Sequence, residues 1–132
     1  MRTSELSVIL YEPEGIIKML LATLFRSRGA DVLEVQNSEE LLGILHERKR
    51  DNRGNRKESG RGQRVVVLGE PSPHRKEHEL VRSLPRSFPE YTFLLLAGGT
   101  VYPDTAEESL FHGVVNKPFS FEELLEAIDR VR

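Results

Sequence analysis

The sequence has no cysteine, which excludes a disulfide framework and a thiolate metal site. It also lacks any apolar run near the roughly 20 residues that a membrane-crossing helix needs. The opening residues Met1, Arg2, Thr3, Ser4 and Glu5 lead straight into a short apolar segment, with neither a signal-peptide core nor a small-residue cleavage site. A cytoplasmic location is the expectation. Glycine-rich phosphate loops, serine nucleophile motifs and paired catalytic carboxylates are missing as well, so nothing in the chain calls for catalysis.

What is present suits one ordinary domain. Over 132 residues, 38% are hydrophobic and 30% charged, enough apolar material for a real core and too short a chain for two. Residues 1–132 are therefore expected to form a single domain. The net charge of −2 is unevenly spread: from Glu47 to Arg64 there are eight Lys or Arg against three Asp or Glu, a net +5, leaving −7 elsewhere.

Apolar patterning divides the chain into alternating strands and helices. Leu6 to Leu10 is a nearly continuous apolar run, the pattern of a strand covered on both faces. Ile16, Ile17, Leu20, Leu21, Leu24 and Phe25 then recur at helical spacing and give way to Arg26, Arg28 and Gly29, a cationic last turn with a glycine stop. Val32, Leu33 and Val35 predict a second strand. Asn37 and Glu40 predict a capping box for a helix carrying Leu41, Leu42, Ile44 and Leu45. Arg64 to Leu68 has the β-branched content of a central strand, and a helix through Leu80, Val81 and Leu84 is expected to break at Pro85 and Pro89. Phe93 to Ala97 predicts a fourth strand ended by Gly98 and Gly99, and Pro103 to Phe111 a short fourth helix. Val114 and Val115 predict the fifth strand, and Ser120 with Glu123 a capping box for a last helix bearing Leu124, Leu125, Ile128 and Val131. The fold class is α/β: a (βα)5 doubly wound, five-stranded parallel sheet. Ligand chemistry in such sheets lies beyond the carboxyl ends of the strands.

The run Gly113, Val114, Val115, Asn116, Lys117, Pro118, Phe119, Ser120 resembles the hydrophobic strand and Lys-Pro-Phe block of the CheY-like receiver domains of two-component response regulators. The likeness covers essentially the whole chain and implies a flavodoxin-like fold. It implies that Lys117 lies at the phosphorylation site and that the Lys117-Pro118 bond is cis, an uncommon isomer. Ile9, Leu10, Tyr11, Glu12, Pro13 and Glu14 resemble the family's strand and acidic cluster that binds Mg²⁺. Either Glu12 and Pro13 or Tyr11 and Glu12 fall on the two acidic positions, so one carboxylate is missing in both alignments. Mg²⁺ demands near-octahedral oxygen ligation, and its binding here is expected to be weak or absent; no other cofactor is implied.

The third strand departs from the family most. Gly69 stands where the resemblance places the phosphoacceptor aspartate, and a glycine has no oxygen to attack phosphorus. Glu70 follows, but successive side chains of a strand point to opposite faces. Ala97 replaces the family's Ser or Thr sensor, and Val114 its aromatic switch. The degenerate pocket is thus Gly69 with Glu12, Glu14, Glu70, Ala97, Lys117 and Pro118. Deprived of phosphate, Lys117 should seek Glu12 or Glu14, because a buried unpaired ammonium is costly; a residual pocket for a small anion is the other reading.

The remaining features weigh less. Of the four histidines, His46, His74, His78 and His112, the middle two with Glu77 spell H-x-x-E-H, but a zinc peptidase needs a third protein ligand and a walled cleft, so His74 and His78 read as a surface pair and no metal is expected. The basic stretch 48–63 reads as an inserted, solvated loop. Without aromatics it offers at most a weak polyanion contact. The resemblance therefore implies a phosphorylation-independent signalling module, not an enzyme. It would bind a partner protein or a second copy through the face formed by the fourth helix (Pro103 to Phe111), the fifth strand and the fifth helix. Two alternatives stay open: a receiver phosphorylated at a non-standard residue such as Glu70, and the N-terminal regulatory domain of a longer transcriptional regulator.

Overall fold

A computed structural model describes residues 6–54, 63–69, 75–97 and 111–131. Five strands, β1 (Leu6–Tyr11), β2 (Asp31–Glu34), β3 (Gln63–Gly69), β4 (Thr92–Ala97) and β5 (Gly113–Asn116), form one sheet in the order β2-β1-β3-β4-β5. Every neighbouring pair is parallel. Among the described residues there are four helices: α1 (Gly15–Ser27), α2 (Ser38–Gly54), α3 (Arg75–Ser87) and α4 (Phe121–Val131). The fold class agrees with the sequence pattern. The fourth helix expected at Pro103 to Phe111 falls outside the described residues except for Phe111, so the closing helix is α4 here.

The central strands β1, β3 and β4 are apolar on both faces because both faces are covered, while the edge strand β2 is exposed or half-buried. Leu6, Val8, Leu10, Val65, Val67, Leu94 and Leu96 pack with Leu21, Phe25, Leu124 and Ile128 of α1 and α4. Their neighbours Ile9, Tyr11, Val66, Leu68, Phe93 and Leu95 pack on the other side with Leu41, Leu45, Val81 and Leu84 of α2 and α3. The two-residue period of a strand thus sends alternate side chains into two cores.

Two boundaries differ from expectation. α2 continues to Gly54, past Arg48, where the sequence suggested the inserted loop would open. Arg, Lys, Glu and Gln hold helical geometry well, so a charged run need not end a helix. Residues 55–62 of that insertion lie outside the described residues, and Gln63 already belongs to β3. α3 runs through Pro85 to Ser87, where a break was expected. Pro85 sits in the last turn, and the turn closes behind it through Phe88 N–H donating to the Leu84 carbonyl at 2.9 Å. His74 lies outside the described residues, as does the side chain of His78.

Candidate functional site

The carboxyl ends of β1, β3, β4 and β5 lie along one edge of the sheet, with the order changing direction between β1 and β3. In parallel α/β sheets this is where ligand sites form. Tyr11 pairs with Leu68, so Glu12 and Gly69 follow side by side. Ala97 pairs with Asn116, and its carbonyl accepts the Lys117 N–H at 2.9 Å. Strand register alone therefore gathers Glu12, Gly69, Ala97 and Lys117. Glu70 lies outside the described residues. The Lys117-Pro118 peptide is cis, as the resemblance implies, and Pro118 is exposed.

Glu12 is the only buried charged or polar residue among the described ones, at 3% exposure. Its Oε2 accepts the Glu14 N–H at 2.9 Å, folding the carboxylate back over the start of α1. Its Oε1 takes no hydrogen bond and is neutralised by the Lys117 ammonium, with Nζ 3.0 Å away. Lys117 also reaches Glu14 Oε1 at 3.4 Å. The two contacts are unequal in environment: the Glu12 side chain is fully buried, whereas that of Glu14 is largely exposed. An ion pair in a dry setting is screened far less than one in water, so Glu12 is the partner that holds Lys117. The expected ion pair is present, and it uses both named carboxylates.

Gly69 is buried at the same place. A Cβ built on it would overlap the Glu12 carboxylate, with Oε1 closest, Cδ at 2.5 Å and Oε2 at 2.8 Å. The space beside Gly69 where a side chain would stand is already filled by the Glu12 carboxyl group. No spacing rule in the sequence revealed this; the one available signal was that a missing side chain at the end of a buried strand leaves a volume that something must occupy.

Beside the pair, Ile17, Leu20, Leu21 and Leu24 of α1 face Phe119 and Phe121 across a groove of about 390 Å³, with Lys117 and Pro118 in its lining. The exposed large apolar side chains among the described residues are Ile16, Met19 and Leu20, at 80%, 64% and 56% exposure. They stand at i, i+3 and i+4 on α1 and so share one face. The sequence placed Ile16 and Leu20 in the apolar run at helical spacing and did not single out Met19; the structure turns all three outward. Among the described residues no cluster of His, Asp or Glu could hold a metal ion.

No family model matches the sequence, and neither does any curated protein. Solved structures do match. The response regulator TrrA from Thermotoga maritima, solved in complex with Mg²⁺ and BeF, aligns over 96% of this chain and 98% of its own, with a TM-score of 0.71 at 20% identity. A structure described as FixJ-N aligns over 95% of this chain and 91% of its own, with a TM-score of 0.70 at 20% identity. A chain from Rhodopirellula baltica described as an adenylate cyclase aligns over 95% and 85%, with a TM-score of 0.66 at 16% identity. The protein thus has the flavodoxin-like fold of response-regulator receiver domains.

Proposed function

We propose that residues 1–132 form a single receiver-type signalling domain that binds a protein partner without being phosphorylated. The observation that carries this reading is Gly69: at the end of the central strand, where the resemblance places a phosphoacceptor, there is no side chain, and a neighbouring carboxylate fills the space. Aspartyl phosphorylation needs a carboxylate with room for in-line attack on phosphorus. The Glu12 carboxylate is buried and ion-paired, so it is not offered to a phosphodonor.

The donor set also fits Mg²⁺ poorly. The ion requires several oxygen ligands in octahedral array, and the one buried carboxylate has the Lys117 ammonium 3.0 Å from Oε1. Pro13 and Gly69 contribute no side-chain oxygen. The exposed apolar stripe on α1 supports the interaction half of the proposal, because exposed apolar surface gathered on one face marks contact sites. The face expected from the resemblance is the other candidate surface: β5 and α4 are its described part, and residues 103–110 lie outside the described residues.

Intact mass tests the reading. After incubation with Mg²⁺ and a small-molecule phosphodonor, the native chain should keep its mass, and stoichiometric gain of one phosphoryl group would overturn the proposal.

A further inference from the structure

We infer that Glu12 has taken over the space of the lost acceptor, and that Glu12 and Gly69 form a coupled pair which closes this site to a divalent cation and to phosphoryl transfer. The inference rests on the reading that the domain works unphosphorylated, and adds which residues enforce that state.

The register of β1 and β3 sets the two residues side by side. A glutamate at the end of β1 is long enough to reach across to its neighbour, and in this conformation it uses the room a glycine leaves: the built Cβ falls 2.5 Å from Glu12 Cδ, so a side chain at 69 makes the carboxylate end of Glu12 shift. In this position the carboxylate meets the ammonium of Lys117, whose side chain is 15% exposed. The fixed ammonium therefore occupies the approach that a divalent cation would need to reach Oε1. Carboxylate and counter-cation are both supplied by the chain itself.

One consequence follows for position 69. Any side chain there must shift the Glu12 carboxylate, and so disturb its 3.0 Å contact with the Lys117 ammonium. The loss at Gly69 and the glutamate at 12 belong together.

The test is a double-mutant cycle on the full chain, Gly69→Ala and Glu12→Ala singly and together, read by melting temperature and by the rate at which an amine-acylating reagent labels Lys117, located by peptide mass mapping. Gly69→Ala should lower the melting temperature by roughly 5 °C or more when Glu12 is present and by roughly 2 °C or less when it is not. Lys117 labelling should rise several-fold in each single variant, with no further rise in the double. Should Gly69→Ala fail to fold, Glu12→Gln keeps the shape and removes the charge, and Lys117 labelling must still rise. Equal losses in both backgrounds, or Lys117 labelling that stays at the native rate in the variants, would overturn the inference while leaving an unmodified native chain consistent with the proposed function. A native chain that accepts a phosphoryl group would instead remove that underlying reading.

Discussion

Lys117 is held from two directions: its backbone N–H is bonded to the Ala97 carbonyl, and its side chain is drawn to Glu12 and Glu14. The backbone bond survives substitution of the side chain, so the effect of changing residue 117 isolates the ion pair. Removing one partner of a buried pair leaves the other uncompensated, at about 3 to 5 kcal/mol. We expect Lys117→Met to lower the unfolding free energy by about 3 kcal/mol, and Glu12→Leu/Lys117→Met to recover much of that loss, both measured by denaturant unfolding. A double variant as weak as the single would mean the pair is not what stabilises this end of the sheet. At this scale the sequence was partly legible. Lys117 and Pro118 lie in a short, specific block, and their pairing and isomer were readable. The place of Glu12 was not, because side-chain direction at a strand end depends on what the neighbouring strand leaves empty, and that neighbour lies 57 positions away.

At the level of elements, the strands and helices followed from apolar period and capping residues. Ser120 and Glu123 make the reciprocal bonds of a capping box, Glu123 N–H to Ser120 Oγ at 3.1 Å and Ser120 N–H to Glu123 Oε1 at 3.0 Å. The box opening α2 is less regular. Glu40 N–H donates to Asn37 Oδ1 at 2.8 Å, but the Glu40 carboxylate reaches back to Gln36 N–H at 2.6 Å. Where charge or proline was taken as a stop, at Arg48 and Pro85, local composition misled, since straight-chain cations favour helix and a proline in the last turn removes few bonds. β5 carries a further constraint. A Cβ on Gly113 would stand 2.7 Å from Leu94 Cδ1 and 3.2 Å from Val131 Cγ1, so a side chain there makes the Leu94 and Val131 side chains give way. Gly113→Ala should cost about 1 to 3 kcal/mol by overpacking, and Ser120→Ala about 1 kcal/mol by loss of the cap. Thermal unfolding compares them, and a Gly113→Ala chain as stable as the native one would show that this contact relaxes freely.

For the molecule as a whole, the parallel α/β class was legible because five apolar-patterned strands separated by helices, the central β1, β3 and β4 apolar on both faces, have few ways to be covered. The two cores and the order β2-β1-β3-β4-β5 are that solution. The outward stripe on α1 was not legible: Ile16 and Leu20 recur at helical spacing with Ile17, Leu21, Leu24 and Phe25 in sequence, yet Ile16 and Leu20, with Met19, are exposed in the fold. The sheet has the fold of response-regulator receiver domains, and its carboxyl edge carries the Glu12–Lys117 ion pair beside Gly69. The direct measurement is a titration of the isotopically labelled chain with Mg²⁺ and beryllofluoride, an acyl-phosphate mimic, followed through the amide resonances of Glu12, Gly69, Ala97 and Lys117. The account predicts no saturable change at these four amides. A saturable response centred on Gly69 and Lys117 would contradict it.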